Sequence, residues 1–426
     1  MNLVYGTVAL FASAATVAIL ARLTVRWPSI LLFHLIWAVF SLLVRPVATV
    51  LYGTTLETER YFTPELYVGA WYTCALSSLC FAVGILSTYR PPAIRPKAEL
   101  AEPGRATVIL VHGGSIAAAV ALLAIGGTAI MFSNRTTTMS IVSPTVRYIF
   151  PFVVVLCCAG TLMSVFALLR KTTLLNIAKV GLYYGITLLV AQRGFFIIFA
   201  TLAAAMLFRV QQRLRWGALV TLAVLLLFGL LAKELMTWAT TEREPEAPRS
   251  VLERIVDRPD GDAVEIWMLT LAYTRNFGFV KGASLPNNAY NIFSHTQRDQ
   301  IQRHNGQDIL NGYYNQDAYW SRGFGFNVTL PIELFLNFGW FGALLPLLPG
   351  ALFGYALGRF DRAVFVDQRS PVAAALVLYG VWSLVQSFAG LQWAVLFIAH
   401  GMLFFIVEKL WPRRARPGVP GPKTKA

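Results

Sequence analysis

The stretch Tyr148-Ile-Phe-Pro-Phe-Val-Val-Val-Leu-Cys-Cys-Ala-Gly-Thr-Leu-Met-Ser-Val-Phe-Ala-Leu-Leu169-Arg170-Lys171 decides the class of this chain. From Tyr148 to Leu169 it carries no charged residue, and it closes on two cations. A bilayer core takes about 20 apolar residues per helix, and a chain inside it must satisfy its own backbone, which a helix does. Working outward from this run, similar runs recur near 2–21, 28–45, 67–89, 107–132, 173–191, 194–209, 217–239, 328–357, 371–389 and 392–408, eleven in all. The first has no basic residues ahead of it and no small-residue cleavage site, so it reads as a span and not as a removable signal.

Composition agrees. Of 426 residues, 56% are hydrophobic and 13% charged, with a mean hydropathy of +0.59; a soluble domain is about 45–50% apolar and about 25% charged. An ordinary soluble enzyme is excluded, and the expected class is an all-α polytopic membrane protein of about eleven transmembrane helices. Cys74, Cys80, Cys157 and Cys158 lie in apolar runs without CxxC or histidine partners, so neither a disulfide framework nor a metal site is expected.

The net charge of +15 invites a nucleic-acid reading until the charges are sorted by loop. One alternating set of loops (Arg22 and Arg26; Arg90 to Arg105; Arg170 and Lys171; Arg209 to Arg215; Arg359 to Arg369; and 408–425) holds 20 of the 36 basic and five of the 21 acidic residues. The remainder carries 16 of each and is neutral. The excess therefore marks the cytoplasmic side and argues against a nucleic-acid partner. The C-terminus is expected in the cytoplasm and the N-terminus outside. Four parts follow: an N-terminal bundle of about eight spans over 1–239, one large outer loop over 240–327, about three further spans over 328–410, and a basic cytoplasmic tail over 411–426. In a bacterium the outer loop is periplasmic and the membrane is the inner one.

Several cations stand where this topology does not put them. Arg45, Arg135, Arg147 and Arg193 fall on the outer side, where arginine at a membrane edge is costly unless paired or used. The guanidinium fork suits phosphate or carboxylate, so these residues read as ligands for an anionic group or as partners of Glu57, Glu59, Glu65 or Glu234. In the outer loop, Glu253 to Asp262 packs Arg254, Asp257 and Arg258 ahead of an apolar-periodic stretch, and a second polar cluster includes His295, Arg298, His304 and Asp308. Two histidines nine apart make a weak metal signal, and no metal or cofactor is expected; a catalytic base is a better use of His304. Aromatics thread the loop, among them Tyr273, Phe277, Tyr313, Tyr314 and Trp320, interleaved with Asn and Asp317. Sugar rings present apolar faces edged by hydroxyls, which such a groove fits. Within the spans, Lys179 and Glu333 should face the bundle interior, while His34, His112 and His400 read as hydrogen-bonded packing residues. Gly350, Gly354 and Gly358 give a small-residue face for close helix contact.

Three pieces, Gln192-Arg193-Gly194, Arg254-Ile-Val-Asp-Arg-Pro259 and Leu330-Pro-Ile-Glu333-Leu-Phe-Leu-Asn337-Phe-Gly339-Trp-Phe-Gly342, together resemble the Wzy-type bacterial oligosaccharide repeat-unit polymerases in motif order and topology. The resemblance covers roughly 185–360. It implies a GT-C-like glycosyltransferase bundle that moves a growing glycan from undecaprenyl diphosphate onto a sugar hydroxyl of a new lipid-linked repeat, with a chain-length regulator as a possible partner. It makes Arg193 and Arg254 the leaving-group residues; Arg258 and Arg322 join them by position. The base is left open among Glu333, Asp257, Asp317 and His304. The related O-antigen ligases carry His-Asn where this chain has Phe326-Asn327, which counts against ligation. A flippase or exporter of lipid-linked sugar is the other alternative, and it would ordinarily show two similar halves, which this sequence lacks.

Overall fold

In a bilayer the backbone amides of an apolar run have only each other to bond, and the described runs all answer this with helix. The computed structural model describes residues 2–26, 28–52, 63–92, 100–126, 144–189, 193–211, 263–287, 305–322, 328–386 and 391–410, with a few positions between 216 and 224. In chain order the helices are α1 (Asn2–Arg26), α2 (Leu31–Ala38), a π-helical turn (Val39–Val44), α3 (Arg45–Tyr52), α4 (Pro64–Thr88), α5 (Arg105–Gly126), α6 (Pro144–Arg170), α7 (Leu174–Leu189), α8 (Arg193–Gln211), α9 (Ala263–Phe277), α10 (Gly306–Arg322), α11 (Leu330–Leu344), α12 (Leu347–Phe365), α13 (Pro371–Gln386) and α14 (Leu391–Leu410). No strand occurs among the described residues. Helix starts follow local chemistry: at α4, the Thr63 hydroxyl accepts from Leu66 N at 3.2 Å and Pro64 stands in the first turn, a position that needs no N–H donor.

The protein is a multi-pass membrane protein whose described residues are nearly all helical. Among the described residues, six helices (α1, α4, α5, α6, α8 and α14) are long and apolar enough to cross a bilayer, and the bent pair α11–α12, taken as one span, makes a seventh. Most of α6 is covered by protein, with 78% of its apolar window buried, whereas the figure is 28% for α1 and α5 and 22% for α14. Their outward faces carry residues such as Phe11, Ile109 and Ile406, a surface that lipid covers and water does not. Of the eleven expected runs, 217–239 lies almost wholly outside the described residues, α7 and α13 are 16 residues each, and 31–52 is interrupted by the π turn. The expected single span over 328–357 is two helices bent by 78°.

Small residues set the contacts. A Cβ on Gly350 would lie 2.2 Å from Phe81 O and one on Gly354 2.6 Å from Ile85 O, while Gly84 returns the contact at 2.2 Å to Leu347 O. The register of α12 on α4 advances in step, so these helices run in the same direction with their backbones touching, as the glycine spacing suggested. Gly380 against Ala394 and Gly401 against Ala373 show α13 and α14 antiparallel. Phe195 and Phe199 of α8 meet Tyr379 of α13 and Phe397 of α14 in one aromatic cluster, with Tyr379 and Phe397 centroids 4.5 Å apart. His34 accepts from Trp382 Nε1, His112 Nδ1 bonds the Tyr183 hydroxyl, and His400 Nδ1 bonds Leu396 O. These histidines pack. The four cysteines are free thiols, and Lys179 is half-buried on α7.

One end of the bundle gathers the basic helix ends. Arg170 donates to Leu100 O, Thr107 to Glu408, and Arg209 pairs with Asp361, which also accepts from Tyr89. Helices α4, α6, α8, α12 and α14 therefore finish on one side. Since α1 runs with α4, through Gly6 against Val68 and Trp71 Nε1 on Ser13 Oγ, residue 2 lies at the opposite side from Leu410.

Candidate functional site

At the other end the break in α11 and α12 is the organising feature. Gly339 holds φ 61°, ψ −139° inside α11, a combination open to glycine and strained for other residues. Its missing Cβ also makes room for Phe279, whose ring would lie 2.9 Å away, and Gly342 turns back so closely that a Cβ would stand 2.0 Å from Leu334 O. The kink leaves carbonyls without helical donors. Val280 N and Lys281 N supply them, bonding Leu336 O at 3.0 Å and Asn337 O at 3.1 Å, from a turn in which Gly278, Lys281 and Gly282 all have positive φ.

Glu333 binds this arrangement together. It is 2% exposed; its Oε1 accepts from Ser284 Oγ at 3.1 Å and from Gly306 N at 3.2 Å. Asn337, one turn on, donates to Ser284 Oγ at 2.8 Å and to Glu333 O at 2.7 Å. Gly306 opens α10, so a carboxylate sits at the positive end of that helix, and Glu333 packs so near that a Cβ on Gly306 would meet it at 3.2 Å. Asn305 and Asp308 complete the start of α10 by capping each other, at 2.8 Å and 3.3 Å. The Glu-x3-Asn-x-Gly spacing thus acquires a physical reading: glutamate and asparagine on one face grip the outer segment, and the glycine breaks the helix.

The helices α9 and α10 of the long polar segment rest on this break. Tyr313 meets Tyr273 and Phe277 edge-on at 5.5 and 5.8 Å, and Asn276 Nδ2 donates to its hydroxyl at 3.0 Å. Three aromatics expected to face a glycan are therefore spent on joining α9 to α10. Tyr314, half-buried, lies on α10, as do Asp317, Trp320 and Arg322 by position, their side chains outside the described set.

Arg45 occupies a different place from the one expected. Its Nη2 contacts both carboxylate oxygens of Glu265, at 3.2 and 3.1 Å, and both side chains are 5% exposed. Glu265 was not among the glutamates that the sequence suggested. Arg45 follows the π turn directly, and Glu265 stands in the first turn of α9, so the pair locks α9 to the bundle. That places Arg45 in the scaffold of the site and not on a ligand-facing surface. Arg147 and Arg193 lie in the first turns of α6 and α8, both at this same end, where helix dipoles favour anions; their side chains are not described. Arg254, Asp257, Arg258 and His304 fall outside the described residues.

Beneath α9 and α11, a cavity of about 60 Å³ is bounded by His34, Ser77, Ser78, Trp267, Thr329 and Gln386, among others. On a measure in which one water needs about 10–15 Å³, this holds roughly four to six. Ser77 is 1% exposed, with a hydroxyl that has no partner among the described residues, so a polar occupant is favoured. The broken helix reaches the cavity wall through Thr329 and Pro331, and α9 through Trp267.

Compared with family models, curated proteins and solved structures, the chain matches none. The site therefore rests on its own chemistry. Sequence reasoning missed Glu265 and Ser284, and it assigned Asn305 to a sugar groove and not to a helix start. Their partners are 220, 49 and three residues away; the Asn305-x2-Asp308 spacing alone carried a readable signal, that of a helix cap.

Proposed function

We propose that the chain is a bacterial inner-membrane polysaccharide polymerase of the Wzy type, with its C-terminus in the cytoplasm and its reaction at the end where α9 and α10 dock. The observation that supports the reading best is the broken helix α11, whose Glu333 draws together Ser284 and Gly306 of the outer segment. A broken helix at membrane depth, roofed by a polar and aromatic segment, suits a reaction between lipid-linked substrates that keep their chains in the bilayer. Eleven spans and a periplasmic segment over 240–327 belong to this reading.

The donor is a glycan on undecaprenyl diphosphate. The acceptor hydroxyl oxygen forms a bond to the anomeric carbon as the bond from that carbon to the diphosphate oxygen breaks. The electron pair leaves with the diphosphate, and the acceptor proton passes to a base. Arg193 and Arg254 stabilise the departing charge, with Arg258, Arg322 and Arg147 as further contacts; cations held at a developing anion are the usual source of such catalysis. Tyr314, Trp320 and Asp317 of α10 are assigned to the sugar. Glu333 has Oε1 committed to two donors, so it acts as a positioning residue, and the base falls to Asp257, His304 or Asp317. Arg45 acts through Glu265 by holding α9.

The test is reconstitution with lipid-linked repeat units, resolved by chain length. Arg193→Ala and Arg254→Ala are each expected to abolish polymer while the protein still inserts and elutes as wild type. Long-chain product from either variant overturns the assignment; so does transport of intact lipid-linked repeats without diphosphate release, which is the behaviour of an exporter.

A further inference from the structure

The surface around the kink differs from the rest of the apolar exterior. Elsewhere the exposed apolar residues are largely aliphatic, such as Leu3, Val4 and Val8 on α1 or Ile109 and Leu110 on α5. At the kink they are aromatic and come from two chain segments: Phe277 and Phe279 from one, Phe338, Trp340 and Phe341 from the other, each 40–67% exposed. The segments are in contact, since Gly339 lies against the Phe279 ring and Gly282 against that of Phe338. Trp340 extends the cluster to Tyr72 at 5.8 Å, and Tyr72 to Tyr5 at 5.3 Å. Arg275 and Lys281 flank Phe277 and Phe279, are exposed, and have no charged partner among the described residues.

Aromatic rings beside unpaired cations are the signature of a surface at headgroup level, where rings sit between chain and water and cations meet phosphate. We propose that this patch docks an anionic phospholipid of the adjoining leaflet, with Arg275 and Lys281 receiving the headgroup phosphate and Phe338, Trp340 and Phe341 covering the first part of the acyl chains. The occupant follows from charge complementarity: two exposed cations with no carboxylate partner among the described residues call for an anion, and the rings call for one that carries a chain. Docking there would seat the lipid against the turn that caps α11, and so bear on the stability of the break itself.

The experiment uses full-length protein in phosphatidylcholine nanodiscs containing a small fraction of brominated phosphatidylglycerol or brominated phosphatidylcholine. Bromine quenches nearby tryptophan, and the difference between wild type and Trp340→Phe isolates Trp340. The expected result is preferential quenching by the anionic lipid, with about fivefold lost on Arg275→Gln or Lys281→Gln, corresponding to about 1 kcal/mol per surface cation, and selectivity gone in the double variant. Arg275→Lys should retain it. Unchanged elution and circular dichroism guard against misfolding, and no transfer activity is needed, so the outcome is independent of the polymerase reading. Equal quenching by the two lipids overturns the proposal, as does selectivity that survives the double variant. Displacement of the lipid by free glycerol phosphate identifies a soluble-anion site and overturns it too.

Discussion

The two ends of the bundle each hold a buried arginine–carboxylate pair, and they are built for different purposes. At the basic end Arg209 pairs with Asp361, which is 0% exposed; Tyr89 donates to the same carboxylate, and Phe365 lies 4.3 Å under the guanidinium. These groups sit at the ends of α4, α8 and α12, so the pair joins three elements that cannot part without opening the bundle. At the other end Arg45 and Glu265 join the bundle to α9, which belongs to the polar segment. Here the pair fastens a single helix, so its separation is expected to leave the rest of the bundle closed. The same chemistry serves scaffold at one end and docking at the other.

The largest effect should come from breaking the scaffold pair. Asp361→Ala strands Arg209 in a buried site, and removing one member of a buried pair costs about 3–5 kcal/mol. The expected outcome is a steep loss of monodisperse protein after detergent extraction, read by size exclusion. Well-behaved Asp361→Ala protein would remove the contrast between the ends.

Next in size is Glu265→Ala. Its cost is of the same order, about 3–5 kcal/mol, but local opening can absorb it. The bundle should elute normally while the region between 240 and 330 becomes sensitive to protease and polymer formation falls. The exchange Arg45→Glu with Glu265→Arg should restore protease resistance in part, because the partners are 220 residues apart and only contact couples them. Failure of the exchange together with loss of the bundle would place this pair in the scaffold as well.

Glu333 separates two roles. As a base, its replacement by Gln would remove the reaction, since general acid–base catalysis contributes about 10²–10⁴ in rate. As a clamp, Glu333→Gln keeps an acceptor for Ser284 and Gly306 and should retain turnover within roughly tenfold of wild type, whereas Glu333→Ala leaves both donors unmet at about 1–3 kcal/mol each and should lose most activity. Turnover is measured on lipid-linked repeats, with protease sensitivity as the structural readout. Equal damage from Gln and Ala would restore Glu333 as the base.

What the sequence disclosed divides along the same line. The helical class, the membrane setting, the gathering of basic residues at one end and the glycine face of α12 were legible, because each depends on period or composition within one run. The Glu333 motif was legible as a pattern, but its use was not. Nothing in Leu330 to Gly342 says that Gly339 breaks the helix, since glycine inside a helix more often merely weakens it, and the decisive partner, the turn at 278–282, lies over 50 residues upstream. Arg45 was legible as an arginine needing an anion. That Glu265 meets the need depends on a docking that no local signal encodes.

The smallest effect, and the finest test of the contrast, lies at Asn305. Its Oδ1 accepts from Asp308 N at 2.8 Å, while its own N donates back to Asp308 at 3.3 Å, so Asn305→Ala removes one acceptor from the first turn of α10. Loss of such a cap costs about 1 kcal/mol, or roughly a fivefold rise in the opening of that turn. Hydrogen exchange should quicken by that factor for the amides of 306–310 and stay unchanged in α12, because the cap bonds only residues at the start of α10. Asn305→Ser, which keeps a capping oxygen, should exchange like wild type. If the acceleration spread into α12, the docked segment and the scaffold would be one cooperative unit, and the difference between the two ion pairs would be one of position alone.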